Sequence, residues 1–133
     1  FLSKLSFPPE QSVPLASLMG VPMVEVDALG KRQQMALDTG AKISYISRDL
    51  AANLKPIGKE TDFYPGIGEF ETLVYTIPFH LGKFDFSLKC GVLPEILQLS
   101  LAGTGNSGII GSELYQHFQA HLAFSKGLLH LEE

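Results

Sequence analysis

What most constrains this chain is how often it is interrupted. Its apolar runs are short, and nearly all are bounded or broken by glycine or proline; there are 13 glycines and 8 prolines in 133 residues. A glycine inside a helix costs about 1 kcal/mol relative to alanine and a proline about 3 kcal/mol, so long helices are disfavoured and frequent turns are favoured. The runs themselves carry strand periodicity. Met23-Val24-Glu25-Val26-Asp27-Ala28 alternates as a half-buried strand does, Gly30-Lys31-Arg32 reads as a turn, and Gln34 to Leu37 returns as a second strand.

Further along, Ile43 to Ser47 reads as a strand with Ile43 and Tyr45 on one face and Ser44 and Ile46 on the other. Apolar groups on both faces predict a strand buried on both sides. Ser47 can cap a short helix through Asn53, with Pro56 lying just beyond its end. Thr61 to Pro78 reads as a hairpin tipped by Pro65-Gly66-Ile67-Gly68, and Phe79 to Cys90 as another that turns at Gly82-Lys83 with Phe84 and Phe86 on one face. Val13 to Leu18 and Leu97 to Leu101 add two more apolar runs. Ser112 can cap a second short helix through Phe118, and Ala120 to Leu131 reads as a closing hairpin turning at Lys126-Gly127. Many short strands and two short helices predict an all-β barrel or sandwich.

The length fits one domain, residues 1–133, in which the segment 1–11 has no assignable order. Apolar residues make up 45% and charged residues 18%, which supports a real core and argues against disorder. A net charge of -4 disfavours nucleic acid as a partner, since such binders show a basic excess. The single cysteine, Cys90, forms no internal disulfide. No run is long and apolar enough to span a bilayer, and no basic segment followed by an apolar one marks a secretory signal. The chain begins at Phe1, which reads as a processed chain or a piece of a longer one, and the sequence carries no legible address.

Four constellations compete for the chemistry. Gly103-x-Gly105-x-x-Gly108 matches the dinucleotide fingerprint, but only 25 residues follow it, too few for the strand, helix and acidic residue that a Rossmann unit needs. His117 and His121 have the spacing of zinc ligands on a helix, yet Phe118 occupies the position of the general-base glutamate, and the helix is expected to end before His121. Cys90 has no local feature marking it as a nucleophile. Leu37-Asp38-Thr39-Gly40-Ala41 is different. An apolar strand delivers an aspartate into a tight turn, where Gly40 lets a backbone approach closely. Taken alone, the triplet is equally a turn aspartate that bonds its own backbone.

The triplet is accompanied by two further features. Gly108-Ile109-Ile110-Gly111 sets two branched apolar residues and a glycine ahead of a short helix, and the glycine-tipped hairpin at Gly66-Ile67-Gly68 lies between it and the triplet. Together, in this order, the three resemble the retropepsin-like aspartic proteases over most of the chain, from about Val21 to Leu131. The resemblance implies a closed acid-protease β-barrel with a flap hairpin and one or two short helices, and an aspartic endopeptidase that needs no cofactor and no metal.

Hydrolysis of a peptide without a covalent intermediate needs a base to activate water and an acid to protonate the intermediate, and two carboxyls about 3 Å apart sharing one proton supply both. Asp38 is one such carboxyl. Asp27, Asp49, Asp62 and Asp85 do not precede Thr-Gly or Ser-Gly, so the chain holds half a site. A two-fold homodimer would supply the other half. The resemblance implies that Thr39 bonds across the dimer axis, that the Gly40 carbonyl faces the substrate, that Ala41 completes the catalytic loop, that Ile109, Ile110 and Gly111 brace it, and that Gly66, Ile67 and Gly68 close over an extended peptide.

Two residues depart from the pattern. Lys42 stands where viral members carry an acidic residue that contacts the substrate backbone. Ala41 stands where pepsin-like enzymes usually carry serine, so no hydroxyl there can stabilise a carboxylate, and a pH optimum less acidic than pepsin's is expected. The alternative to an enzyme is a binding or dimerisation module that keeps the fold without turnover; the intact Asp38-Thr39-Gly40 argues against it.

Overall fold

The computed structural model describes residues 12–14, 16–18, 21–38, 40–123 and 128–132. In chain order the elements are β1 (Ser12–Pro14), β2 (Ala16–Leu18), β3 (Val21–Ala28), β4 (Lys31–Leu37), β5 (Ser44–Ile46), α1 (Arg48–Ala51), β6 (Gly58–Tyr64), β7 (Gly68–Leu81), β8 (Phe84–Val92), α2 (Glu95–Ala102), β9 (Gly108–Ile110), α3 (Leu114–His117), β10 (Gln119–Ala123) and β11 (Leu128–Glu132). The larger sheet runs β2-β3-β4-β9-β5-β8-β7-β6, and β3 also pairs with β7. That extra pairing joins β3, β4, β9, β5, β8 and β7 into a closed ring of six strands, which removes the sheet edges inside the ring. A smaller antiparallel sheet, β1-β11-β10, packs Leu129 and Leu131 into the barrel core.

Local sequence accounts for most of these elements. Leu29 and Gly30, both at positive φ, make the two-residue turn between β3 and β4 that antiparallel strand twist favours. Val24, Val26 and Ala28 point inward, while Glu25 is exposed and Asp27 is partly so. In β8, Phe84, Phe86, Leu88 and Cys90 are buried on alternate positions and the residues between them are exposed.

The core has two parts. Inside the barrel lie Val24, Val26, Met35, Leu37, Ile77, Leu88 and Ile110. On the opposite side of β5 and β9, Ala41, Ile43, Tyr45, Val74, Leu93 and Ile109 form a second cluster, with Tyr64, Phe70, Leu97 and Leu101 packed against it. Ile46 belongs to the first cluster and Tyr45 to the second, so β5 is buried on both faces as its pattern predicts. Neighbouring Ile109 and Ile110 divide in the same way.

Three expectations need correction. The expected one or two helices become three among the described residues, because α2 forms over the apolar run Leu97 to Leu101. Leu97, Leu99 and Leu101 alternate like a strand, but Pro94 needs no N–H at the helix entrance and its carbonyl accepts from Leu97 and Gln98. Leu97 and Leu101, four apart, face the second cluster, whereas Ile96 and Leu99 are 66% and 67% exposed. Val13 to Leu18 is two strands in different sheets. Finally, α3 starts later than expected and Ser112 does not cap it: Glu113 stands at its N-cap with no side-chain bond, and the Ser112 amide donates to the Ala41 carbonyl at 2.9 Å. The residues of the expected turn at Lys126-Gly127 and the segment 1–11 lie outside the described residues.

Candidate functional site

The site begins with the parallel pairing of β4 and β9, in which Ala36 faces Ile109 and Leu37 faces Ile110. The Asp38 amide donates to the Ile110 carbonyl at 2.9 Å, extending that pairing one residue beyond the strand. The chain then turns: the Ala41 amide donates to the Asp38 carbonyl at 3.1 Å, and the Gly40 amide donates to Asp38 Oδ1 at 2.9 Å. The carboxylate therefore helps shape its own turn while its side chain remains partly accessible. Thr39 lies outside the described residues. Lys42 is exposed.

The Ile109-Ile110 segment is wedged between β4 and β5, and the glycines flanking it make that approach possible. A Cβ on Gly111 would lie 2.7 Å from the carbonyl oxygens of both Ala41 and Ile43, and a Cβ on Gly108 would run into the Tyr45 carbonyl. Both obstacles are backbone, which cannot swing aside as a side chain can. The Gly111 amide donates to Ser44 Oγ at 2.9 Å in a buried setting. Ser44 is thus the buried polar group that fastens β9 to the strand after the Asp38 turn. Its place between apolar neighbours is the sequence signal for such a role, since a buried hydroxyl needs a partner.

β6 and β7 form the hairpin that reaches over this region. Gly66 and Gly68 have φ of 86° and 91°, a conformation that side chains with a Cβ resist, and the Ile67 amide donates to the Tyr64 carbonyl at 3.1 Å. Alternate residues of β6 point inward and find partners along its length. Glu60 pairs with Lys89 at 2.6 Å, and Asp62 accepts the Tyr45 phenol hydrogen. Burial, the negative charge of Asp38 and that of Asp62, in that order, raise the Tyr64 phenol above its ordinary pKa. Tyr64 therefore sits within electrostatic reach of Asp38. Tyr64 ends β6, so it is this part of the hairpin that comes near the Asp38 turn, and the turn itself is bonded to Ile110.

A cavity of about 270 Å³ opens on this side, lined by Ala36, Ile109, Tyr64, Leu97 and Asn106 among others. Ala36 and Ile109, which face each other across β4 and β9, both form part of its wall. A larger cavity of about 400 Å³ lies on the other side of α2, against Ile46, Arg48 and Leu99. It touches neither Ala36 nor the flap.

The remaining constellations come apart. Gly103 ends α2 and Gly108 begins β9, so the glycine-rich loop runs from helix to strand, the reverse of a dinucleotide-binding turn. His117 ends α3 and His121 lies on β10, so they do not share a helix face. Cys90 is fully buried, and burial followed by the charge of Glu113 pushes its thiol well above the usual range. Asp27 pairs with Arg32, Asp85 pairs with His80, and Asp49 lies in the first turn of α1.

Neither a family model nor a curated protein sequence matches this chain. Solved structures do. A crystal structure of a retropepsin-like aspartic protease from Rickettsia conorii superposes with a TM-score of 0.60 at 18% identity, covering 90% of this chain and 87% of that one. The solution structure of the simian foamy virus (mac) protease gives a TM-score of 0.51 at 15% identity, covering 68% and 88%. The foamy viral protease–reverse transcriptase, solved with an RNA/DNA hybrid, gives 0.55 at 16% identity, covering 84% of this chain and 12% of that one. The fold is that of the retropepsin-like aspartic proteases, an all-β barrel with a flap.

Proposed function

We propose that this chain is an aspartic endopeptidase whose active site is shared between two copies, with Asp38 of each copy contributing one carboxyl. The observation that carries this reading is Asp38 itself, a partly accessible carboxylate at the end of β4. Its turn is tied to Ile110, and its charge acts on Tyr64 at the end of β6, the strand that leads into the glycine-tipped hairpin turn. Asp27 pairs with Arg32, Asp62 with Tyr45 and Asp85 with His80, so one copy supplies half of an acid–base pair.

In the dimer the two carboxyls share a proton. The ionised one takes a proton from water as that water attacks the peptide carbonyl, and the protonated one donates to the developing oxyanion. Proton transfer to the amine then lets the C–N bond break. Thr39 holds the two loops in one plane, the Gly40 carbonyl meets the substrate backbone, and Ala41 lets the turn sit close to β9. Gly66, Ile67 and Gly68 close over the peptide and exclude water. The peptide lies extended, with main-chain hydrogen bonds giving affinity and apolar pockets reading alternate side chains.

The test is cleavage of unstructured peptides by the wild type and by Asp38→Asn, with sedimentation at several concentrations in parallel. The expected result is turnover in the wild type that grows with the dimer fraction and falls by several orders of magnitude in the variant. Equal cleavage by both proteins, or full activity in a strict monomer, would overturn the reading. A confirmed dimer that binds peptide without turnover at any pH would identify a binding module.

A further inference from the structure

Among the described residues β6 lies at one end of the larger sheet and pairs with β7 alone. The ladder between β7 and β8 starts at Tyr75, so from Gly58 to Val74 the hairpin projects beyond the barrel. Side chains fasten it to the body. At its root the Val92 amide donates to Thr72 Oγ1 at 2.8 Å. Farther out, three half-buried residues on one face of β6 reach three different elements. Glu60 pairs with Lys89 of β8 at 2.6 Å, and Asp62 accepts the phenol hydrogen of Tyr45 in β5. Tyr64 feels the charge of Asp38, just past the end of β4.

The middle contact differs in kind from its surroundings. Tyr45 is fully buried and pairs with Ile109, the neighbour of the residue whose carbonyl holds the Asp38 turn. Asp62 offers one carboxylate oxygen to Tyr45 while the other accepts the Phe63 amide at 2.8 Å, so its own strand orients the carboxylate. Around this bond the packing is apolar, with Phe70 and the Tyr64 ring against the cluster of Ile43, Tyr45, Leu93 and Ile109. Apolar packing is non-directional and lets a strand slide, whereas a hydrogen bond to a carboxylate sets both distance and angle. The Glu60–Lys89 pair is more exposed and contributes less. We propose that Tyr45 and Asp62 are positioning residues, whose bond sets how closely the hairpin lies on the body and so keeps Tyr64 near Asp38. In its effect on peptide cleavage this rests on the endopeptidase reading; the tie itself belongs to the fold.

The test follows amide hydrogen exchange and the cleavage of unstructured peptides in the wild type, Tyr45→Phe, Asp62→Ala and the double variant. Tyr45→Phe keeps the ring and its packing and removes only the hydroxyl. In each single variant the amides of Gly58 to Val74 are expected to exchange about 5- to 100-fold faster, with those of β3 and β4 changing far less. The double variant should add little to either single one, because the bond is already gone. The value of kcat/KM should fall by a similar factor through KM, with kcat kept, since a seated peptide holds the hairpin down. Unchanged hairpin exchange in Asp62→Ala, whose place on an edge strand tolerates truncation, overturns the proposal even if Tyr45→Phe fails to fold. Equal acceleration in β3, β4 and the hairpin, or additive effects of the two changes, also overturns it. Cleavage by the wild type with KM unaltered in both variants removes the positioning role and leaves the protease reading intact. A hairpin freed in the variants of a protein that cleaves nothing keeps the tie and removes the endopeptidase reading.

Discussion

The Ser44 hydroxyl accepts the Gly111 amide at 2.9 Å, joining two residues 67 positions apart and locking β9 against the strand that follows the Asp38 turn. Ser44 is fully buried, so neither group can turn to solvent if the other is removed. Ser44→Ala should therefore cost about 1–3 kcal/mol, the penalty for stranding a buried donor, and lower the melting temperature by several degrees. Thermal unfolding followed by circular dichroism would show it. An unchanged melting temperature would mean that the amide finds another partner.

Gly108 and Gly111 are tested by alanine. At both positions the added Cβ meets backbone oxygen, so the strands must separate and the cost should reach or exceed the 1–3 kcal/mol of ordinary overpacking. Gly30→Ala is the contrast. It has nothing within 4 Å and suffers only from its φ of 78°, so a loss nearer 1 kcal/mol is expected. Urea denaturation of the three variants should rank them in that way, with Gly30→Ala the mildest.

The two faces of α2 should respond differently. Leu99→Ala removes an exposed side chain and should change stability by no more than about 0.5 kcal/mol. Leu97→Ala removes one packed against the second core cluster and should cost about 1–2 kcal/mol. Equal losses would fit a strand with both residues on one face and would contradict the helix.

Alkaline stability depends on Tyr45 and Cys90. Burial, aided at Tyr45 by the bond to Asp62 and at Cys90 by the charge of Glu113, raises both groups well above their ordinary values. In the unfolded chain the thiol ionises near pH ~8.5 and the phenol near ~10. Their contribution is therefore whole below about pH 8.5 and is lost as pH rises from there towards the folded values, because only the unfolded chain releases these protons. Stability should fall steeply above about pH 9. Tyr45→Phe should flatten the upper part of that fall, and a slope unaltered by the change would exclude Tyr45 as its source.

Much of the architecture is legible because strand period and turn chemistry are local. Val24, Val26 and Ala28 alternate against charged neighbours, Phe84 and Phe86 share a face, and Gly66 and Gly68 mark a hairpin tip. The helix α2 is misread for a physical reason: Leu97, Leu99 and Leu101 satisfy a strand's period, and what decides the matter is Pro94 capping the first turn and Leu97 with Leu101 finding a core four residues apart. Ser112 is likewise a plausible cap by sequence, but α3 begins one residue later than such a cap requires, with Glu113 at its N-cap.

By itself the sequence determined an all-β chain carrying one Asp-Thr-Gly turn, a glycine-tipped hairpin and one Gly-Ile-Ile-Gly segment, because each is set by neighbours a few residues away. Tertiary structure alone decided what surrounds them. It put Gly111 on Ser44, Asp62 on Tyr45 and Tyr64 within reach of Asp38. Those relationships join residues 17 to 67 positions apart wherever a hydrogen bond makes them. No local periodicity encodes such pairings; they arise when closure of the barrel removes water and leaves each buried polar group dependent on whatever the fold brings near.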